Sequence, residues 1–195
     1  MTSSLEKGKY YEYEHRLLHS LFQSLVDYVE IEEAWCQASW GDDEKKYKST
    51  HRFWWNEWRC PGAGVDRLVW QAKLVCDKDM GVDEDSPNFG TPTSQSVSAQ
   101  EILDLYNWWK IGRPARPDPY EASGWIAFNA AREAITPKDM STKAKRRAIR
   151  MKRTPEERAE SSRLFEVMNK IEAEYDAEDE LMMIRLIKIR KSMWT

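Results

Sequence analysis

The chain has 195 residues, enough for one domain or one domain with an appendage, and 41% of them are hydrophobic, which excludes disorder along the whole length. A net charge of −3 gives no overall attraction to nucleic acid or to an anionic membrane. Three cysteines without a CxxC spacing, and no apolar run of signal-peptide or transmembrane length, indicate a reduced, cytosolic protein.

Helical periodicity dominates the first half of the chain. Apolar residues recur at three- and four-residue steps over residues 10–38, which predicts an amphipathic helix. A second helix or a tight aromatic segment is predicted in "HRFWWNEWRC" and is expected to stop at "PGAG". "VDRLVWQAKLVC" then has helical spacing, and a polar loop follows over residues 77–97.

The second half carries clearer start signals. Ser98 and Glu101 form a capping-box pattern that predicts a helix over residues 99–110. Three prolines then force an extended path, and "EASGWIAFNAAREAI" predicts a short helix. Thr154, Pro155 and Glu157 fit an N-cap, a first-turn proline and a capping glutamate.

No glycine or proline interrupts the sequence after Pro155. A continuous helix from there to Trp194 would be roughly 58 Å long at about 1.5 Å per residue, whereas a compact domain of this size has a radius of gyration of about 16 Å. The helix is therefore expected to break near "YDAEDE" or to project and be covered by a partner. A projecting helix favours self-association into a homo-oligomer.

These patterns predict a mainly α fold. It is expected to be an irregular helical domain with long N- and C-terminal helices and an aromatic, proline-rich connecting region. The predicted divisions are a helical aromatic-rich domain over 1–137, a basic linker over 138–153, and a long C-terminal helix over 154–195 that packs on the domain or on a partner subunit.

Two patterns resemble metal sites but fit them poorly. His15 and His19 lie one helical turn apart, as a metal-binding pair requires. The glutamate of an HExxH motif is absent, and nothing places His51 beside the pair. The acidic loop 77–85 has a glycine, but no bidentate glutamate follows at the twelfth position of a calcium loop. We assign no metal ligands and no cofactor.

The C-terminal helix repeats acidic residues four apart, which destabilises an isolated helix. Glu172, Asp176 and Glu180 form one such row. Mg²⁺ is one candidate for compensation, as in all-α nucleotide pyrophosphohydrolases, with Glu30 and Glu33 completing the cluster. The other candidate is the basic segment 143–153, which would pair with the acidic helix or contact phosphate groups.

The ten tryptophans cluster, and this predicts either a structural clamp on the proline turn or a recognition surface. Adjacent residues on a helix differ by about 100° in direction, so Trp108 and Trp109 are not expected to point at one core together. At least one of them is expected to lie at an edge, on a second packing surface or at a ligand site. Arg113 and Arg116 are expected to stack on indole rings. The predicted binding residues are Trp108, Trp109, Arg113, Arg116, Trp125, Arg146, Arg147 and Arg150.

Three blocks of sequence resemble a family of uncharacterised proteins encoded by tailed bacteriophages. They are "LYNWWKIGRPARPDPYEASGW", "LLHSLFQSLVDYVEIEEAW" and "EDELMMIRLIKIRKSMWT". The resemblance implies a phage origin and no known activity, so it assigns no catalytic or binding residue. It favours host takeover, blocking of a defence system, or a place in the virion.

We therefore expect a non-enzymatic, phage-encoded accessory protein that binds a host or phage protein in the host cytoplasm. No GxSxG, P-loop or GxGxxG motif supports catalysis. The alternative is a protein that binds or sequesters a nucleotide or nucleic acid, with Arg146, Arg147 and Arg150 on phosphates. A metal-dependent all-α nucleotide hydrolase is the more distant alternative, and no membrane partner is expected.

Overall fold

A computed structural model describes residues 5, 6, 8–40, 47, 59–134 and 154–193. The predictions for His51, for the tryptophans of "HRFWWNEWRC" and for the basic segment lie outside these residues. The predicted phosphate contacts of Arg146, Arg147 and Arg150 therefore also lie outside the described residues.

The mainly α class is confirmed, because helices make up the regular structure of the described residues. The only strand-like pairing in that part of the chain is an isolated bridge between Val75 and Pro92. The α-helices are α1 (Tyr13–Asp27), α2 (Ala34–Trp40), α3 (Pro61–Gln71), α4 (Ser94–Asn107), α5 (Pro119–Ala122), α6 (Trp125–Ala134) and α7 (Pro155–Ile189). Two π-helical segments, Tyr28–Glu33 and Trp108–Gly112, extend α1 and α4, and 3-10 turns cover Lys78–Met80 and Arg190–Ser192.

The predicted N-terminal helix is confirmed, with one difference. Leu18, Phe22, Leu25 and Val26 place one face of α1 in the core, as the periodicity indicates. The helix then widens into a π turn over Tyr28–Glu33 before α2 begins. An i→i+5 turn of this kind cannot be read from apolar spacing, because the residues on both sides keep their helical pattern.

The structure corrects two predicted helix boundaries. Helix α3 begins at Pro61 and not at residue 65; this proline occupies the first turn, where its missing N–H removes no hydrogen bond. The next helix begins at Ser94 and not at residue 99. Its N-cap is Thr93, whose hydroxyl accepts a hydrogen bond from the Ser96 N–H over 3.0 Å.

Helix α7 begins as predicted and runs without a break. The Thr154 hydroxyl accepts from the Glu157 N–H over 3.2 Å, and the Glu157 carboxylate accepts from the Thr154 N–H over 3.0 Å. This reciprocal pair is the predicted capping box. The helix continues through "YDAEDE" to Ile189, which excludes the predicted break and gives a length of about 52 Å.

Contacts divide the chain into two compact units. Unit 1 contains residues 1–114 and 181–195, and unit 2 contains residues 115–180. The predicted divisions at 137/138 and 153/154 stay predictions, because residues 135–153 lie outside the described part of the chain. No helix within that part is long and apolar enough to cross a membrane.

Unit 1 is built around a core drawn from α1, α3, α4 and the end of α7. Its largest fully buried side chains are Phe22, Leu25, Val29, Leu68, Ile102 and Leu105. Helix α3 approaches the first π segment most closely at Gly64, where an added Cβ would overlap with the carbonyl oxygen of Val29. A glycine is therefore required at this contact.

Unit 2 contains the aromatic cluster of the connecting region. The ring of Trp125 lies 6.3 Å from that of Phe128 and 6.1 Å from that of Phe165 between centroids. Gly124 has a φ of 82° and separates α5 from α6, so "EASGWIAFNAAREAI" forms two short helices and not the single one predicted. A left-handed residue at this point is readily adopted by glycine.

The close approach at Gly64 gives a test with an internal control. We expect Gly64→Ala to lower the free energy of unfolding by about 1–3 kcal/mol or more, because backbone atoms must move to admit the methyl group. Gly62→Ala, on the same helix with no atom near its added Cβ, should be neutral or stabilising by less than about 1 kcal/mol. Urea denaturation of both variants measures the difference, and equal effects would contradict the packing.

Candidate functional site

Trp108 and Trp109 lie on the second π segment and both contact Phe22. Their ring centroids are 5.0 and 4.7 Å from that of Phe22, and Trp109 stacks on it at 16°. The expectation that at least one of the two tryptophans lies at an edge is confirmed, although Phe22 lies close to both rings. Trp109 is only partly buried, which places it at the edge of this core.

The two arginines of the proline turn behave differently. Arg113 lies over the ring of Trp109 at 5.2 Å, as predicted. Among the described residues the Arg116 guanidinium lies over a tyrosine, 4.9 Å from the ring centroid of Tyr175, and over no indole. It donates to Glu178 over 2.6 Å and to Asp179 over 2.7 Å. The Arg116 side chain is only 13% exposed.

Arg116 therefore supplies part of the charge compensation that the acidic helix needs. The Tyr175 hydroxyl adds a hydrogen bond to the Pro117 carbonyl over 3.1 Å. Together these contacts hold the proline turn against α7 within unit 2, which agrees with a structural clamp. Sequence reasoning placed the compensating cations in the basic segment, which lies outside the described residues.

The predicted binding residues do not form one described site. Trp108, Trp109 and Arg113 are close together in unit 1, while Arg116 and Trp125 belong to unit 2 and contact different residues there. Their roles in binding stay predictions.

The predicted histidine pair is part of an aromatic ladder. The rings of His15 and His19 are 4.4 Å apart, Tyr11 stacks on His15 at 5.5 Å, and His19 meets the edge of Trp109 at 5.0 Å. Across the described ranges, no group of three or more histidine, cysteine or acidic residues could hold a metal ion.

The last turns of α7 are apolar on two opposite faces. Leu186 is buried in the core of unit 1, where Met182, Met183 and Ile189 also pack. On the opposite face Leu181, Ile184 and Ile187 are 53%, 42% and 46% exposed, and we call these three residues the outer stripe. A helix that is apolar all round is normally enclosed by other structure. The three-residue spacing of Leu181, Ile184 and Ile187 is the feature of the sequence that could have indicated this second apolar face.

Glu30, on the first π segment, is buried among donors. Its Oε1 accepts from the Tyr106 hydroxyl and from the Lys110 ammonium, each over 2.9 Å, and Arg59 lies 3.4 Å from Oε2. The pKa of Tyr106 is raised above its ordinary value, mainly by burial and to a smaller extent by the hydrogen bond to Glu30. Glu30 is thus engaged by protein groups, in contrast to the magnesium cluster considered for it.

Glu33 is 4% exposed and lines a pocket. Its Oε1 accepts from the Tyr28 hydroxyl over 2.5 Å, five residues earlier on the same π turn. The pKa of Tyr28 is raised, mainly by burial and to a smaller extent by the hydrogen bond to Glu33. The pocket has a volume of about 300 Å³ and is lined by Tyr28, Glu33, Gln71, Ser94, Gln95, Ser98, Ala99, Ile102 and Ser192.

The role of Arg116 can be tested within unit 2. We expect Arg116→Ala to speed amide hydrogen exchange in residues 117–122 and 175–179, with a local loss of about 2 kcal/mol from its charged hydrogen bonds. Arg116→Lys should restore only part of this, because an ammonium lacks the planar fork that meets two carboxylates. Arg163→Ala is the control, since Arg163 is exposed and pairs only within its own helix. Unchanged exchange in Arg116→Ala would contradict the clamp.

The raised pKa values of Tyr28 and Tyr106 predict the response to alkali. In the unfolded chain both groups ionise near the ordinary value of about 10, whereas in the folded chain they keep their protons to higher pH. Their contribution to stability is therefore full below pH ~10 and is lost as the pH rises above it, by about 1.4 kcal/mol per pH unit for each tyrosine. Tyr106→Phe should reduce this slope by about half in urea denaturation at several pH values. An unaltered slope would contradict the assignment.

Comparisons with protein-family models, with curated proteins and with solved structures find no match to this chain.

Proposed function

We propose that this chain is a non-enzymatic protein that acts by binding another protein through the outer stripe. The observation that carries the proposal is the pair of opposite apolar faces at the end of α7. One face forms part of the core of unit 1, and the other leaves three large aliphatic side chains about half exposed. Covering them would remove apolar surface from water, which drives association.

The size of the outer stripe limits what it can do alone. Fully burying an aliphatic side chain contributes about 1.5–3 kcal/mol, so three half-exposed ones contribute on the order of 3 kcal/mol. Stable protein interfaces bury about 800 Å² on each partner. The contact therefore extends beyond the outer stripe onto neighbouring side chains.

Those neighbours are basic. Lys188, Arg190 and Lys191 are exposed in the last helical turns. A complementary partner would present an apolar helix face or groove with an acidic rim. The resemblance to tailed-phage proteins supports a host or phage protein in the host cytoplasm as that partner, with blocking of a defence system as one setting.

Self-association is compatible with the same surface. In a two-fold pairing centred on Ile184, that residue would face its own copy and Leu181 would face Ile187. Every position of the outer stripe would then meet another aliphatic side chain. Nucleotide binding stays a prediction, because its phosphate-binding arginines lie outside the described residues.

A photo-crosslinking amino acid at position 184 tests the proposal in expressing bacterial cells. We expect a discrete crosslinked protein, identified by mass spectrometry as either another protein or a second copy, and analytical ultracentrifugation of the purified chain separates these. Ile184→Glu should abolish capture by affinity-tagged protein without unfolding the chain, because a carboxylate in an apolar contact is strongly disfavoured.

Val97 supplies the matched control, since it is 59% exposed on α4 of the same unit and is not part of the outer stripe. A crosslinker at position 97 should give no discrete product, and Val97→Glu should leave capture intact. A monomer that forms no specific crosslink from position 184 would overturn the proposal.

A further inference from the structure

The pocket beside Glu33 has no part in the proposed protein contact. It is an open pocket lined by the first π segment, α3, α4 and the 3-10 turn after α7, all within unit 1. Its volume of about 300 Å³ is at the lower end of the range for small-molecule sites. Ala99 and Ile102 provide an apolar wall, and the remaining lining residues are polar.

Glu33 has one well-bonded oxygen and one poorly bonded oxygen. Oε1 accepts the short bond from Tyr28, but the nearest donors to Oε2 among the described residues are Gln71 Nε2 at 3.4 Å and Arg67 Nε at 3.9 Å. Ordinary N–H···O hydrogen bonds span about 2.7–3.2 Å. The Arg67 Nε is itself buried and has no hydrogen-bond partner in the described structure, so it does not complete the bonding of Glu33.

The charge of the pocket selects the class of ligand. Of the described residues that line it, Glu33 alone carries a formal charge. Arg67, whose Nε lies 3.9 Å from Glu33 Oε2, is an ion-pair partner of this carboxylate but does not line the pocket. Phosphates and carboxylates are disfavoured beside a buried carboxylate, whereas an N–H donor with positive charge is attracted to it.

Two serine hydroxyls complete the set of acceptors. Ser98 Oγ and Ser192 Oγ are 3.1 Å apart and hydrogen-bonded to each other, and both line the pocket. An ammonium group has three donors and no acceptor. A carboxylate oxygen and hydroxyl oxygens in one pocket match that requirement.

We infer that this pocket binds a small ligand carrying an ammonium or guanidinium group, with the cation at Glu33. Ser98 and Ser192 supply further acceptors, and Ala99 and Ile102 contact the carbon chain of the ligand. The inference is independent of the outer stripe and concerns a second, small-molecule site.

Putrescine and butane-1,4-diol are a matched pair of probes, since they share a four-carbon chain and differ in charge. We expect putrescine to cause saturable amide chemical-shift changes at Gln71 and along residues 94–102 in two-dimensional NMR, and the diol to cause none. Agmatine tests the guanidinium group in the same way.

Glu33→Gln removes the charge and keeps the shape, and should weaken putrescine binding at least about tenfold, which is about 1.4 kcal/mol. Glu32→Gln, at the exposed neighbouring position, is the control and should bind as the parent does. If Glu33→Gln does not fold, Gln95→Trp at the exposed rim should block the pocket, while Gln100→Trp, outside it, should not.

Several outcomes would overturn the inference. They are no saturable shift with either amine, equal binding of the diol, or shifts confined to the acidic loop 77–85. An equal effect of Glu32→Gln and Glu33→Gln would do the same, because it would indicate general attraction of a cation to an acidic surface.

Discussion

Burying a carboxylate inside a small helical unit is unfavourable unless hydrogen-bond donors surround it. Unit 1 is organised around such a buried carboxylate, that of Glu30. Glu30 accepts from Tyr106 and Lys110, which come from α4 and the π segment that follows it. Two π turns that are far apart in sequence are joined at this point. Removal of Glu30 would leave the buried Tyr106 hydroxyl without this partner.

Several other contacts depend on this junction. The backbone N–H of Cys60 donates to the Glu30 carbonyl over 2.8 Å just before α3 begins, and Gly64 lets α3 lie against Val29 of the same π turn. This position of α3 places Gln71 beside Glu33. The pocket is thus a consequence of how the first π turn is packed, while the outer stripe is a consequence of α7 having apolar residues on both faces.

The sequence was informative wherever the determinants are local. Thr154 and Glu157 are three residues apart, so their capping box could be read directly, and the apolar face of α1 follows from its periodicity. Contacts between residues that are distant in the chain could not be predicted from the sequence. Thr93, and not Ser98, is the N-cap of α4. Glu101, the expected capping partner of Ser98, is instead bound in a two-pronged pair with Arg185, 84 residues away. Arg116 pairs with two carboxylates on α7 that are more than sixty residues away. The π turns cannot be recognised in the apolar spacing.

The pair between Arg185 and Glu101, together with the burial of Leu186, has a consequence for biosynthesis. The helices α1, α3 and α4 are made early, but part of the core that they share is supplied by residues 181–193. At about 5–20 residues per second, some seconds of translation separate the two. During that interval the part of the core to which Leu186 belongs remains incomplete. Final closure of this unit is therefore a late event in synthesis.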